Sequence, residues 1–473
     1  MFEEKSANGK SGFEVLISWK DIEPYHPWFL KDMGYNLYFA KAIGDTITNG
    51  YAVVADEGIW DEELPKRNFV PIEFEKPGFI EEEFIGINLQ RRNVKEQESL
   101  VMEIVTMSNK STSKIVNVSL FDDKGEMFYT EEINIQLNKK LALNEVELNT
   151  GTLNSAKYKL IVSSSNDTLS NIEIVVFPKI DFDLIYSKLE ENQNQLTIGI
   201  VNTLTFKLKQ LQEKIRDLKS YESGALLLDD INVFYQAYAS FNKGLDPYEG
   251  ILEPYRRAFK SKYDDTYQPY SIRLPKNYDP NKKYPLLVFL HGSGQDEQTI
   301  LKSPRSNGDF IEIAPLARDI YYCYSSDYAQ KDIIEAIDDV LMHFSVDENK
   351  MIIGGFSMGG YGALRTFYEH PELYKGVAVF AGHPRLASEW LDGEHPDFLK
   401  DKYLSSLSGM PVFIYHGTKD GALPVHLIEE MSLKLQSAGA EITKNIVEGR
   451  GHQYPDEETN VMYFDWLDAV INN

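Results

Sequence analysis

Apolar residues along the 473-residue chain fall into successive patterns, and each predicts a different kind of element. In residues 1–84, Val15-Leu16-Ile17-Ser18-Trp19 and Tyr35-Asn36-Leu37-Tyr38-Phe39 read as strands, punctuated by Pro24, Pro27 and Gly34. From 85 to 178 the spacing is two. Ile133, Ile135 and Leu137 alternate with polar residues, as do Tyr158, Leu160 and Val162. That period predicts strands with one buried face, and turn signals at Asp122–Gly125 and Asn149–Gly151 predict a small β-sandwich. From 179, Val201, Leu204, Leu208, Leu211, Ile215 and Leu218 step by three or four, the stripe of one long helix. A less regular helical stretch runs to Lys243, and Gly244, Pro247 and Gly250 close it.

From 249 onward strand and helix patterns alternate. Short apolar runs at Tyr284–Leu290, Phe310–Pro315, Met351–Phe356, Val377–Ala381 and Val412–Tyr415 suit strands buried on both faces. Helical stretches near 328–344, 358–370 and 424–437 lie between them. The expected fold class is therefore multidomain: β-rich N-terminal modules at 1–84 and 85–178, a helical linker segment at 179–248, and a C-terminal α/β domain at 249–473 with a mostly parallel sheet.

Charge and cysteine content narrow the function classes. Asp and Glu outnumber Lys and Arg 73 to 48, a net charge of −25, and no basic patch offsets it, so a nucleic-acid partner is not expected. Cys323 stands alone, which excludes an intramolecular disulfide framework and a cysteine-built zinc site. The longest apolar runs are strand-sized, as at Leu286–Leu290, so no membrane span is expected.

The strand Met351–Phe356 runs into Gly355-Phe356-Ser357-Met358-Gly359-Gly360, and a helical pattern follows. This is G-x-S-x-G between strand and helix, the context in which it carries a nucleophilic serine. The serine sits on a strained turn, so its neighbours two before and two after must be small. The helix that begins there aims free N–H groups at the place where negative charge would develop.

A serine hydroxyl needs a base, best a histidine held in one tautomer by a carboxylate. Downstream, the strand Val412–Tyr415 leads to His416-Gly417-Thr418-Lys419-Asp420, and the strand Ile442–Val447 leads to Gly449-Arg450-Gly451-His452. Asp420 and His452 both follow strand ends, where open α/β sheets build their sites. Asp392 is a rival acid with no strand before it. His416 is expected to be a structural hydrogen-bonder, and His343, His370 and His426 to be surface or packing residues. The strand Leu286–Leu290 ends in His291-Gly292-Ser293-Gly294, where the N–H of Ser293 could join that of Met358 as an oxyanion hole. His291, together with His383 and Trp390 of the 382–405 loop, completes the candidate pocket. No metal site and no organic cofactor is implied.

Residues from about 255 resemble the α/β-hydrolase superfamily. More closely they resemble bacterial carboxylesterases of the feruloyl-esterase, acetyl-xylan-esterase and polyhydroxybutyrate-depolymerase kind. The matching stretches are Gln268-Pro269-Tyr270 with Leu274-Pro275, Leu290–Gly294, Ile313-Ala314-Pro315 and Gly355–Gly360. The paired cysteines of several secreted depolymerases are missing. The resemblance implies an ester substrate, such as acetyl or feruloyl groups on plant polysaccharide, cleaved through an acyl-enzyme. Residues 13–75 resemble the later half of a family 9-like carbohydrate-binding module, through Glu14–Trp19, Gly34–Phe39 and Trp60, with Trp28 or Trp60 as a sugar platform or as core. The first ten residues lack the apolar core of a signal peptide. The expected location is cytoplasmic if Met1 is the true start, and extracellular if the first module is cut short. Two other readings stay open: a prolyl-oligopeptidase-type peptidase, and a carbohydrate-binding protein with an inactive hydrolase fold. Oligomeric state is not legible.

Overall fold

A computed structural model of the chain describes residues 83–473 apart from 149–152, 166, 195–196, 219–220, the side chains of 221–222, and 473; upstream it describes only the backbone of six short strands. The carbohydrate-binding-module resemblance, with Trp28 and Trp60, and the turn expected at 149–151 lie outside the described residues. The chain packs as two units, 1–180 with 215–230, and 181–214 with 231–473.

In the first unit, Thr112–Asp122 pairs with Met127–Leu137 and Ala156–Ser164, which pairs with Asp167–Phe177, and Asn93–Lys95 completes this five-stranded sheet. Ala142–Leu148, Leu100–Met107 and Phe84–Leu89 form a three-stranded sheet. The two-residue period does the expected work: Val116, Val118 and Leu120 are buried, while Ile115 faces out. These residues share one core with Met102 and Ile104 of the smaller sheet, so the two sheets form a sandwich. At the turn, Asp122 Oδ1 accepts from the N–H groups of Lys124 and Glu126, and Gly125 takes φ +83°.

The helix Ile198–Arg216 buries Val201, Leu204, Leu208 and Leu211 along the expected stripe. Burial then tapers: Ile215 is half-buried, and Leu218 lies beyond the helix end. A second helix, Tyr221–Asn242, is followed by Gly244 at φ +75°. The segment expected as one helical linker is thus divided between the two units, with 181–214 and 231–248 packing with the C-terminal sheet.

That sheet has eight strands: β1 Tyr255–Lys260, β2 Tyr267–Arg273, β3 Tyr284–Leu290, β4 Ile311–Pro315, β5 Val346–Phe356, β6 Gly376–Phe380, β7 Pro411–Gly417 and β8 Glu441–Val447. Their order is β1-β2-β4-β3-β5-β6-β7-β8. Only β2 runs against the rest. Helices cover both faces over two apolar cores, one containing Val288, Ile353 and Leu364, the other Phe289, Phe380 and Trp466. This is the α/β-hydrolase arrangement, with the parallel strands ending at one edge. Among the described residues no helix is long and apolar enough to cross a membrane.

Candidate active site

β5 ends at Phe356, the helix Met358–Glu369 begins at Met358, and Ser357 stands between them at φ 56°, ψ −116°. A residue with a Cβ rarely adopts that backbone, and here its neighbours enforce it. The Ser357 N–H donates to the Phe380 carbonyl at 2.8 Å. A Cβ on Gly355 would strike the Gly359 carbonyl, and one on Gly359 would strike the Leu290 carbonyl and approach that of His291 to 2.7 Å. The glycines two before and two after the serine are therefore obligatory.

Two loops converge on the hydroxyl. His452 Nε2 lies 2.9 Å from Ser357 Oγ, and His452 Nδ1 lies 2.7 Å from Asp420 Oδ2. Asp420 Oδ1 accepts from the N–H groups of Ala422 at 2.9 Å and Leu423 at 2.8 Å. Burial alone would push the Asp420 carboxyl up. The bond from His452, the Leu423 N–H and the nearby imidazoles outweigh it and hold the carboxyl below its ordinary value. The two loops are laced together, since the Lys419 N–H donates to the Arg450 carbonyl and the Gly449 N–H to Thr418 Oγ1. The His452 ring packs against Phe356 at 5.2 Å, and Phe356 stacks on Tyr454 at 4.1 Å.

His416 is buried, with Nε2 3.0 Å from the Leu423 carbonyl and 3.7 Å from Asp420 Oδ2. Desolvation lowers its basicity against the pull of the Leu423 carbonyl and Asp420, and the ring clamps the Asp420 loop.

The loop after β3 and the first turn of the Met358 helix adjoin through Gly359. Met358 is the first helical residue, so its N–H has no intrahelical acceptor. His291 departs from expectation. It is fully buried, with Nδ1 3.0 Å from the Gly292 carbonyl and Nε2 3.1 Å from that of Leu316, so it braces the loop from within and offers no exposed surface. His383 follows Gly382, whose Cα packs against Gly360. Its Nδ1 accepts from the Arg385 N–H, and its Nε2 lies 3.1 Å from Glu389 Oε2. Desolvation lowers its basicity against the pull of Glu389. Trp390 is 58% exposed at the end of the short helix Leu386–Trp390.

Residues 326–465 match the family model described as phospholipase/carboxylesterase. The C-terminal region thus resembles phospholipase/carboxylesterase domains over residues 326–465. A probable feruloyl esterase C of Aspergillus clavatus is 26% identical over 165 residues, 33% of this chain and 55% of its own length. A probable dipeptidyl-aminopeptidase B of Ajellomyces capsulatus is 31% identical over 119 residues, 21% of this chain and 13% of its own. Among solved structures, a ferulic acid esterase from Anaeromyces mucronatus is 21% identical, covering 46% of this chain and 91% of that one, at a TM-score of 0.37. The chain spans less than two thirds of the length of the curated relatives it matches.

One bracing residue carried no sequence signal. Gln295 Oε1 accepts from the Gly292 N–H at 3.3 Å and from the Tyr454 hydroxyl at 2.7 Å, tying the loop after β3 to the chain just past His452. A cleft of about 900 Å³ lies at the opposite end of the sheet, lined by Glu348, Lys375, Pro411 and Glu441, and contains none of these groups.

Cys323 is buried, and desolvation pushes its thiol up to about 11, so almost no thiolate exists near neutrality. Iodoacetamide at pH 8 is expected to leave the native protein unmodified and to alkylate this one cysteine once urea unfolds the chain. Native labelling at the rate of a free thiol would contradict the burial.

Proposed function

We propose that the C-terminal domain hydrolyses carboxylic esters through an acyl-enzyme. The observation that carries this is the unbroken chain Ser357–His452–Asp420, with the serine held on a strained turn. His452 Nε2 takes the proton as Ser357 Oγ attacks the ester carbonyl, then returns it to the leaving alcohol. Water repeats the cycle on the acyl-enzyme. Asp420 fixes the Nδ1–H tautomer of His452 and stabilises the imidazolium. The backbone N–H groups of Ser293 and Met358 stabilise the tetrahedral oxyanion; the close approach of their two segments at Gly359 supports this assignment.

Feruloyl or acetyl esters on plant polysaccharide are the proposed substrate class. The name of the Aspergillus relative supports the feruloyl part. The aminopeptidase match favours a peptidase as the second reading. Methyl ferulate, p-nitrophenyl acetate and short Pro-containing peptides assayed in parallel separate the two. Esters are expected to give the higher kcat/KM, and the reverse order would move the assignment to a peptidase. A fluorophosphonate probe is expected to label Ser357. An unlabelled chain would revive the reading of a binding protein with an inactive hydrolase fold.

A further inference from the structure

The connection from β4 to the helix Asp327–His343 is strained. Nine non-glycine residues among those described have positive φ, and four of them, Ala317, Arg318, Cys323 and Tyr324, lie in this connection. Such backbone persists only where surrounding contacts hold it, and it collects at functional sites. Here the contacts are specific. The Tyr324 hydroxyl donates to the His291 carbonyl at 2.9 Å, and Gln330 Nε2 donates to the Tyr324 carbonyl at 2.8 Å. The Gly294 N–H donates to the Ile320 carbonyl at 2.9 Å. The Tyr324 ring also fills the space a side chain on Gly362 would need, with its Cγ 2.9 Å from that Cβ position. The connection is therefore wedged between the loop after β3 and the helix that follows Ser357.

What this rigid segment presents to solvent is aromatic: Tyr321 is 58% exposed and Tyr322 61%. The two rings are not equivalent. Tyr321 lies against Gly294, where a Cβ would sit 3.6 Å from both its Cε1 and its hydroxyl oxygen. Gly294 is the neighbour of Ser293, so the ring stands beside the carbonyl-binding position. Its backbone is pinned as well, the Tyr321 N–H donating to Asp319 Oδ1 at 2.6 Å. A large ring on a pinned backbone, half bare and against the glycine that follows the proposed oxyanion donor Ser293, is a stacking surface with little backbone ordering left to do when a second ring arrives.

We propose that Tyr321 is a specificity-determining residue whose exposed face stacks on an aromatic ring carried by the ester, on its acyl or its alcohol side. The proposal rests on the serine-esterase reading above and adds to it the residue that recognises an aromatic ring of the ester. Two matched pairs test it: methyl ferulate against methyl butyrate for the acyl side, and phenyl acetate against ethyl acetate for the alcohol side. In Tyr321→Ala, the ratio of kcat/KM for the ring-bearing over the ringless ester is expected to fall about three- to tenfold in one pair. That is the size of one stacking contact, and the change should be carried by KM. Tyr321→Phe should keep the wild-type ratio, because the stacking face remains. Tyr263→Ala, at an exposed tyrosine flanked by Lys262 and Lys331, should also keep it. Fluorophosphonate labelling of every variant shows that the serine site is intact. Unchanged ratios in both pairs, or a wild type that prefers ringless esters, would overturn the proposal. A wild type that hydrolyses none of the four and takes no label would overturn the esterase reading, and this inference with it.

Discussion

Ser357→Ala is expected to lower kcat for methyl ferulate or p-nitrophenyl acetate by about 10⁴- to 10⁶-fold, to background. The size follows from the arrangement. Without Oγ, His452 Nε2 has no hydroxyl to deprotonate, and no acyl-enzyme can form. The fold should survive. Alanine has the same Cβ as serine, so the turn at φ 56° is no more strained, and the N–H bond to the Phe380 carbonyl does not involve the side chain. The His452 side chain is 28% exposed, so water can replace the lost partner on Nε2. A thermal melt within a few degrees of wild type, together with loss of turnover, is the expected pair of results. Undiminished turnover would remove Ser357 from the mechanism.

Motifs whose geometry is local were legible in the sequence. Gly355, Ser357 and Gly359 stand in register, and every steric reason for them lies within one turn or one neighbouring strand. The six strands expected from 284 onward were also found, five of them because each is a largely apolar run buried on both faces, while Glu441–Val447 is the partly exposed edge strand. What escaped was structure built from polar residues. β1 and β2 carry Arg256, Arg257 and Pro269, which break the apolar pattern. Their place in the sheet depends on partners distant in sequence: Arg257 is buried, with Nε donating to the Tyr270 hydroxyl, which donates in turn to Asp339.

In the sequence the helix at 198–216 shows only its apolar stripe, which is why it reads as part of a linker. Its contacts with the C-terminal sheet include Gly199 and Thr203, besides Phe206 and Gln210 against Arg256. A Cβ on Gly199 would meet the Arg257 and His343 side chains, and Thr203 Oγ1 accepts from the Ala258 N–H at 3.1 Å. That contact covers an N–H of the edge strand β1, which would otherwise invite pairing with another chain. Tyr321 was invisible for a related reason. A surface tyrosine in a loop acquires meaning only once Gly294 is seen beneath it.

The second large effect is expected from Asp420→Asn, and it turns on which side of the carboxylate each partner uses. Oδ1 accepts from two backbone N–H groups, Ala422 and Leu423. Oδ2 faces His452 Nδ1. An asparagine must keep its carbonyl oxygen toward the two N–H groups, because an amide NH₂ there would oppose two donors. Its NH₂ is then forced toward His452. A donor at that position selects the imidazole tautomer with hydrogen on Nε2, which cannot accept a proton from Ser357. The expected loss is about 10⁴-fold in kcat with the fold intact.

The pH dependence gives an independent check. The native Asp420 carboxyl lies below its ordinary value, so the stability its ionised form contributes is present above the unfolded value, about pH 4, and is lost as pH falls through the native one. The gap in melting temperature between wild type and Asp420→Asn should therefore be widest near pH 7 and narrow below pH 4. A gap independent of pH would show that the carboxylate charge contributes nothing to the fold. A variant retaining more than a tenth of wild-type kcat would show that Asp420 does not set the His452 tautomer, and the base would need another partner.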